Sequence, residues 1–317
     1  MTRIGDPHLV TRLAGAVKGW LGKDGPDVST RRACVIAHRG AARLAPENTL
    51  EAFARAVELG ADGIETDISV TKDGVYVLWH DADPDGKVAL ARQSVVSDSD
   101  AYALRMADLG SPYRRPVDQL SLEELRAHYG YFRKRKGAPD EPVQIALLSD
   151  LFEWAKGETR LAHVYLDVKI ECDAVAADRL LSLTAERGGG QREGLTWHFL
   201  STHTEVLEPL AARVRREPLP PDVRLTGDFE LPGVLENARR LGLKDVSMGC
   251  GARPWADFKR ELQDVAVARD SGELDSLVVW TLNDGAQLET VLGLGVDGIM
   301  TDDPECLLTL ERVQGLS

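Results

Sequence analysis

Cysteine and aromatic residues are scarce in this 317-residue chain, and the few cysteines are scattered. Cys34, Cys172, Cys250 and Cys306 form no CxxC pair and have no histidine at zinc-site spacing. This distribution argues against a disulfide-stapled secreted scaffold and against a structural zinc site. We therefore expect free thiols in a reducing compartment, and predict a cytoplasmic protein.

The chain also lacks long apolar runs and an excess of positive charge. No stretch approaches the length of a membrane span, and residues 1–27 lack the apolar centre of a signal peptide. Apolar residues at helical spacing instead predict a helical extension over 1–30. The net charge of −13 opposes long-range attraction to nucleic acids and anionic lipids. We expect no nucleic-acid partner and no stable membrane insertion, while oligomeric state leaves no signal in the sequence.

Short apolar runs alternate with helical patterns along the chain, as in βα units around a parallel sheet. The predicted strands are Cys34–Arg39, Gly63–Val70, Val75–Asp81, His163–Lys169, Thr196–Thr202, Val223–Gly227, Leu277–Asn283 and Gly298–Asp302. A ninth run, Asp245–Cys250, is predicted to be an extra element between the sixth and seventh strands. We predict one α/β domain over 1–317, a TIM-type (β/α)₈ barrel. Residues 82–142 are too long for a plain loop and predict an insertion over the barrel mouth, between the third and fourth strands.

Helix boundaries are marked by capping signals. Asn48 with Glu51, and Ser121 with Glu124, match the capping box that begins a helix. Gly60 is placed to end the first of these helices, because glycine adopts the left-handed conformation that commonly follows a helix.

One segment is repeated within the chain. Leu59–Asp67 and Leu294–Asp302 share seven of nine residues, and each reads as a helix end, a glycine turn and a buried strand. The second copy has Met300 where the first has Glu65. Because the repeated geometry does not require the glutamate, Glu65 is a candidate for chemistry.

Acidic side chains share a face on two predicted strands. Alternation places Glu65 with Asp67 on one strand and Asp167 with Lys169 on another. Buried carboxylates repel each other, and a hard cation, Mg²⁺ or Ca²⁺, held by Glu65, Asp67 and Asp167 would offset that cost. The alternative is a set of ion pairs with Lys169 and Arg39, which leaves three acids to two bases.

Two histidines flank this predicted acid cluster. His38 ends the first predicted strand, and His80 ends the third. In a barrel the strand ends meet at one rim, where imidazoles can act as a general base and a general acid. One such histidine alone is usually structural, but a flanking pair favours catalysis.

Several motifs in this order resemble the glycerophosphodiester phosphodiesterase family, whose members are phospholipase-C-like barrels. The motifs are His38-Arg-Gly40, Pro46-Glu-Asn-Thr49, Gly63-Ile-Glu-Thr-Asp67, Lys72-Asp-Gly-Val75, Trp79-His-Asp81, Leu166-Asp-Val-Lys169, Trp280-Thr-Leu-Asn283 and Gly298-Ile-Met-Thr-Asp-Asp-Pro304. The resemblance runs from about Val35 to Pro304 and is dense at both ends.

The resemblance implies metal-dependent hydrolysis of small glycerophosphodiesters to sn-glycerol 3-phosphate and an alcohol. It implies an acid/base pair of His38 and His80, and one divalent cation, Mg²⁺ or Ca²⁺. The further residues it implies are the metal ligands Glu65, Asp67 and Asp167, Arg39 and Lys169 on the phosphoryl oxygens, Trp280 in the pocket wall, and Glu47 as a supporting hydrogen-bond partner or helix cap.

The chain departs from the family pattern at Asp167, where the family usually has a longer glutamate, and in the segment after Asp81. Two alternative functions stay open at this point. One is a lysophospholipase D or sphingomyelinase D-like phosphodiesterase, although the sequence shows no secreted, disulfide-bonded character. The other is a phosphodiester-binding barrel without catalysis, against which the intact histidine pair and acids argue.

Overall fold

The computed structural model describes residues 32–96, 101–169, 174–188, 190, 192–230 and 232–314, so the predicted helical extension over 1–30 lies outside the described residues. Within these ranges, parallel strands close into a barrel. They are β1 (Cys34–Ala37), β2 (Gly63–Val70), β7 (His163–Val168), β8 (Thr196–Leu200), β9 (Val223–Phe229), β10 (Asp245–Gly249), β11 (Ser276–Trp280) and β12 (Gly298–Thr301). Neighbours pair in this order, and β12 returns to β1, which confirms the predicted (β/α)₈ barrel.

The helices connect these strands and cover the barrel. They are α1 (Leu50–Leu59), α2 (Lys87–Val96), α3 (Leu122–His128), α4 (Leu148–Gly157), α5 (Ala174–Arg187), α6 (Thr204–Arg216), α7 (Val234–Leu241), α8 (Trp255–Asp270), α9 (Gly285–Leu292) and α10 (Pro304–Gln314). In α1, Phe53 and Val57 are fully buried against the outer face of the barrel, as the apolar periodicity predicts. Among the described helices, none combines the length and apolarity needed to cross a bilayer.

Two strand predictions were wrong. Asp245–Cys250 is not an extra element, because β10 is one of the eight parallel strands of the barrel (its staves) and pairs with both β9 and β11. Val75–Asp81 is not a stave, because only β3 (Tyr76–Leu78) is a strand and it pairs antiparallel with β2. The reason is chain length. Five residues separate Val70 from Tyr76, whereas a parallel crossover needs a dozen or more.

One of the capping predictions was also wrong. Thr49, not Asn48, caps the start of α1, and its Oγ1 accepts a hydrogen bond from the Ala52 amide. Asn48 instead lies in the left-handed region at φ 54° and is fully buried. The box of Ser121 with Glu124 is confirmed at α3, and Gly60 ends α1 at φ 106°.

Residues between β3 and β7 form a second small layer. Strands β4 (Tyr102–Arg105), β5 (Gly130–Arg133) and β6 (Glu141–Val143) make an antiparallel sheet. This sheet has its own apolar cluster, in which the ring of Trp79 lies 5.2 Å from that of Tyr131. Because β3 is not a stave, the layer stands between the second and third staves of the barrel.

A histidine pair occupies the amino-terminal side of the barrel interior. The Nδ1 of His163 on β7 lies 3.2 Å from the Nε2 of His198 on β8. The Tyr165 ring stacks on His198 at a centroid distance of 4.2 Å, and Thr226 Oγ1 lies 3.3 Å from its Nδ1. Burial lowers the pKa of His163 and lowers the pKa of His198 well below its ordinary value.

This pair predicts acid sensitivity of the fold. Because the folded-state pKa of each histidine is lowered, the unfolded chain binds protons more readily below about pH 6.5, and stability falls there as pH drops. His198→Gln should therefore lose less unfolding free energy than the wild type between about pH 7.5 and 5.5, as measured by urea denaturation. The exposed His203→Gln is the control and should keep the wild-type pH dependence. Equal pH dependence in all three proteins would contradict the assignment.

Candidate active site

A cavity of about 1190 Å³ opens at the carboxyl-terminal ends of the barrel strands. This is the end at which barrel enzymes carry their active sites. Eight of the nine predicted site residues line it: His38, Arg39, Glu47, Glu65, His80, Asp167, Lys169 and Trp280. The ninth, Asp67, is buried directly beside Asp167.

Three buried carboxylates converge at the base of this cavity. Glu65 and Asp67 lie on β2, and the parallel register places Asp67 opposite Asp167 on β7. One oxygen from each of the three lies within 4.8 Å of the other two. Backbone register alone therefore assembles the acid cluster that the sequence predicts.

The donor set of this cluster suits a hard divalent cation. Asp67 Oδ1 and Asp167 Oδ1 are buried and have no hydrogen-bond partner. Buried polar atoms are rarely left unpaired, and three carboxylates offer the oxygen-only ligation that Mg²⁺ and Ca²⁺ prefer. The orphaned oxygens are therefore consistent with a cation-binding role.

The predicted alternative, ion pairing, is also present, mainly on the Oδ2 atoms of the two aspartates (the outer oxygens). The Nζ of Lys169 lies 2.5 Å from Asp167 Oδ2 and 3.6 Å from Asp67 Oδ1. The Nε of Arg39 lies 3.0 Å from Asp67 Oδ2. These two bases offset part of the acid charge. They leave Asp67 Oδ1 and Asp167 Oδ1, the inner oxygens, without hydrogen bonds.

The carboxylates of Glu65 and Asp67 respond oppositely to this environment. Burial and the charge of Asp67 raise the pKa of Glu65 well above its ordinary value. Burial would also raise the pKa of Asp67, but Arg39, His80 and Lys169 overcome it and hold that pKa below the usual range. The cluster thus concentrates negative charge on Asp67, and a bound cation would relieve the repulsion that Glu65 experiences.

Asn48 fixes the orientation of Asp67. Its Nδ2 donates to Asp67 Oδ2 at 2.9 Å, while its Oδ1 accepts from Thr66 Oγ1 at 2.7 Å and from the Asp67 amide at 3.2 Å. The left-handed backbone of Asn48 turns its side chain inward for these bonds. The asparagine of the Pro-Glu-Asn-Thr motif therefore holds a carboxylate and does not cap the helix.

The same clasp recurs in the second copy of the internal repeat. Asn283 Nδ2 donates to Asp302 Oδ2 at 2.6 Å, and its Oδ1 accepts from Thr301 Oγ1 and the Asp302 amide, both at 2.9 Å. The free oxygen of Asp302 contacts His38 Nδ1 at 2.7 Å. Sequence reasoning missed Asp302, although the matching Thr-Asp ends of the two copies were a signal that could have revealed it.

His38 is held between Asp302 and the acid cluster. Its Nδ1 faces Asp302, and its Nε2 lies 3.8 Å from Glu65 Oε2. The next residue, Arg39, adopts φ 57° and donates its amide to Glu65 Oε2 at 2.9 Å. At Gly40 a Cβ atom would lie 2.7 Å from the Ala52 backbone, so this turn requires glycine.

His80 reaches the cavity by a different route from the one predicted. It does not end a stave but follows β3, and the hairpin brings Trp79 back so that its amide bonds the Asp67 carbonyl at 3.0 Å. The Nδ1 of His80 lies 2.6 Å from Asp81 Oδ1, which also pairs with Arg92 Nε at 3.0 Å. Each histidine thus has a carboxylate on Nδ1.

Glu47 links the barrel to the insertion. It accepts a hydrogen bond from the Tyr102 hydroxyl at 2.9 Å and pairs with Arg39 Nη1 at 3.3 Å and with Arg92. Burial raises its pKa against the pull of Arg39. The carboxylate contacts these groups and caps no helix. Sequence reasoning missed Arg92 because its partners are distant along the chain.

Trp280 lines the cavity, as predicted, and its indole Nε1 donates to Asp228. Burial, reinforced by Asp167, raises the pKa of Asp228 to about 8. Asp228 was also missed, because the predicted strand Val223–Gly227 stops one residue short of it.

Comparison with known proteins agrees with this arrangement. A family model described as the glycerophosphoryl diester phosphodiesterase family matches residues 38–182, and a second with the same description matches residues 276–305. A glycerophosphodiester phosphodiesterase from Caldanaerobacter subterraneus subsp. tengcongensis is 27% identical over 293 residues, which cover 89% of this chain and 98% of that protein.

Solved structures share the fold. A putative glycerophosphoryl diester phosphodiesterase from Silicibacter pomeroyi matches with a TM-score of 0.67 at 20% identity, covering 90% of this chain and 95% of that one. An Oleispira antarctica phosphodiesterase in complex with the product sn-glycerol-3-phosphate matches with a TM-score of 0.61 at 17% identity, covering 91% and 97%. With both family segments matched in order on a closed barrel, this chain belongs to the glycerophosphodiester phosphodiesterase family of phosphoric diester hydrolases.

Proposed function

We propose that this protein hydrolyses glycerophosphodiesters to sn-glycerol 3-phosphate and an alcohol, with one bound divalent cation, Mg²⁺ or Ca²⁺. One observation carries the proposal: buried carboxylates of Glu65, Asp67 and Asp167 converge between two histidines, with two inner oxygens left unbonded. The named relatives act as supporting evidence for the reaction class. We assign the reaction to one catalytic domain, with 82–142 as its insertion, in the cytoplasm.

Charge defines the roles of the basic residues. A phosphodiester carries one negative charge, and its transition state places more charge on the non-bridging oxygens. Arg39 and Lys169 would hold those oxygens, since both side chains reach the cavity. Held by Glu65, Asp67 and Asp167, the cation would supply further charge neutralisation. Glu47 keeps Arg39 in place, and Trp280 shapes the wall that the substrate meets.

The two histidines would move the protons. With Nδ1 of each ring bound to a carboxylate, Nε2 is left to exchange protons with substrate. One imidazole would take the proton of the attacking hydroxyl, from water or from the substrate itself, and the other would protonate the leaving alkoxide. Asp302 and Asp81 act as positioning residues, because they hold the rings and touch no reacting atom.

An activity screen tests the proposal directly. Metal-stripped protein would be supplied with Mg²⁺ or Ca²⁺ and assayed on glycerophosphodiesters that differ only in the alcohol. We expect metal-dependent release of sn-glycerol 3-phosphate. A metal-replete preparation that is inert toward these substrates and toward bis(p-nitrophenyl) phosphate would instead favour a non-catalytic binding barrel.

Removing either histidine should stop turnover. His38→Ala and His80→Ala should each lower kcat by at least about 100-fold, because each removes one proton-transfer group. Circular dichroism and calorimetric metal binding should match the wild type, since neither ring belongs to the acid cluster. If either variant kept a near-native kcat, the histidine it replaces would not be the proposed proton-transfer group.

Replacing one acid should weaken metal activation. Glu65→Gln keeps the side-chain length and can still accept the Arg39 amide, but it removes a charged ligand. The metal concentration that gives half-maximal activity should rise at least about tenfold, and calorimetry should show the same loss of affinity. Glu311→Gln is the matched control, because Glu311 is equally buried but pairs with Arg32 away from the cavity. An unchanged metal response in Glu65→Gln would exclude it as a ligand.

The support of His38 by Asp302 can be read from the pH profile. Asp302→Asn removes the anion beside His38 Nδ1, and its amide cannot accept from both His38 and Asn283 as the carboxylate does, so the limb of the pH–rate profile that His38 controls should move to lower pH. This direction holds whether His38 is the base or the acid. Asp297→Asn is the control, because Asp297 lies just before the first residue of β12 and accepts from the Leu277 amide. It should leave the pH–rate profile unchanged. A profile that stays fixed in Asp302→Asn would contradict the role.

A further inference from the structure

The insertion helix α2 exposes three large apolar side chains, and two of them, Val88 and Val95, line the cavity. Val88 is 63% exposed, Leu90 is 46% exposed and Val95 is 73% exposed. Across the described part of the chain only seven large apolar side chains are this exposed, and three of them lie on these ten residues. A solvent-facing helix normally carries polar residues on its outer face. Exposed valines at a cavity therefore indicate a site that binds an apolar group.

The contacts of Arg92 fix the direction in which α2 faces. Val88, Arg92 and Val95 stand at i, i+4 and i+7, which places them on one face of the helix. Arg92 bonds Asp81 and Glu47 beside His80, so this face looks into the reaction centre. Val88 and Val95 line the same cavity as the histidines, one on each side of Arg92.

The size of the cavity leaves room for more than a small polar substrate. Its volume of about 1190 Å³ exceeds the roughly 300–1,000 Å³ of pockets that hold drug-sized molecules. The two valines are separated by seven residues, which is roughly 10 Å along the helix axis. An extended hydrocarbon chain lying along α2 would contact both.

Charge argues that this apolar wall does not bind a bilayer. The protein carries a net charge of −13, and Asp83 and Asp85 stand just before α2. Membrane-surface helices pair their apolar face with a strongly basic polar face. The basic residues of α2 are Lys87 and Arg92 alone, and Arg92 is already bound to acids. The wall therefore fits one chain of a dispersed molecule.

We propose that Val88 and Val95 form a subsite for a single alkyl or acyl chain carried by the phosphodiester substrate. The inference rests on the proposed function, since it assigns the chain to a molecule cleaved at the same site. The substrate class is then a single-chain phosphodiester, with the polar phosphoryl group at the acid cluster and the hydrocarbon along α2. Hydrolysis would release sn-glycerol 3-phosphate when the chain is on the leaving alcohol, and its 1-acyl derivative when the chain is on the glycerol.

The test measures kcat/KM as a function of chain length in two substrate series. One series carries the chain on the glycerol, as 1-acyl-glycerophosphocholines; the other carries it on the leaving alcohol, as n-alkyl diesters of sn-glycerol 3-phosphate. All are used below their micelle-forming concentrations, with glycerophosphocholine as the chainless reference. In at least one series kcat/KM should rise by up to about fourfold for each methylene that is buried on α2.

Substitutions on the wall identify where the chain binds. In Val88→Asp and Val95→Asp the ratio of kcat/KM for the chain-bearing substrate to that for glycerophosphocholine should fall toward one. Val267→Asp is the matched control, because Val267 is 67% exposed on α8 and lies outside the cavity lining. It should retain the wild-type ratio.

The outcomes separate this inference from the proposed function. Cleavage of glycerophosphocholine with no gain from a chain in either series, or equal gains in wild type and Val95→Asp, would overturn the subsite alone. No cleavage of any diester by the metal-loaded protein would overturn the proposed function as well. Activity that rises only above the micelle-forming concentration would indicate an aggregate surface as the ligand and would also overturn the single-chain subsite.

Discussion

The mutual repulsion of three buried carboxylates is the constraint around which this site is arranged. Parallel pairing sets Asp67 directly beside Asp167. Glu65 lies two residues earlier on β2, on the same face of the strand. Such a cluster is tolerable in a folded protein only when compensating charge is close. Lys169 and Arg39 provide it on the outer oxygens, while the inner oxygens of the two aspartates stay unbonded. That partial compensation holds the cluster together and leaves it open to a cation.

One backbone unit occurs on both sides of the candidate site. The copies ending at Asp67 and Asp302 lie on β2 and β12, which flank β1, and an asparagine clasps each aspartate through the same three bonds. On one side the clasped carboxylate joins the acid cluster, and on the other it supports His38. The variable position follows the same division, since Glu65 reaches the cluster where Met300 packs beside apolar neighbours. The two copies of the repeat therefore share a backbone arrangement but place their aspartates in different surroundings, one in the acid cluster and one beside His38.

Local pattern predicted most of the barrel and the acid cluster, because strand alternation and parallel register depend on neighbouring residues. It also indicated that His38 and His80 lie near the acid cluster, and both line the cavity. The strand errors have a common source. Apolar content marked Val75–Asp81 as a stave, although the five-residue link allows only a hairpin. With that run counted among eight strands, Asp245–Cys250 was left as a ninth, although it pairs with a neighbour on each side. Whether an apolar run becomes a barrel strand depends on the strands it pairs with, and amino-acid composition does not reveal those partners.

The residues that were missed depend on contacts between distant segments. Arg92 reaches Glu47 across 45 residues of sequence, and Asp302 reaches His38 across 264. Arg92 also connects the insertion to the candidate site. The guanidinium that pairs with Asp81 beside His80 lies on the same face of α2 as Val88 and Val95, which line the cavity. The position of the carboxylate beside His80 and the placement of the two valines at the cavity thus share one helix orientation, so a rotation of α2 as a whole would alter both.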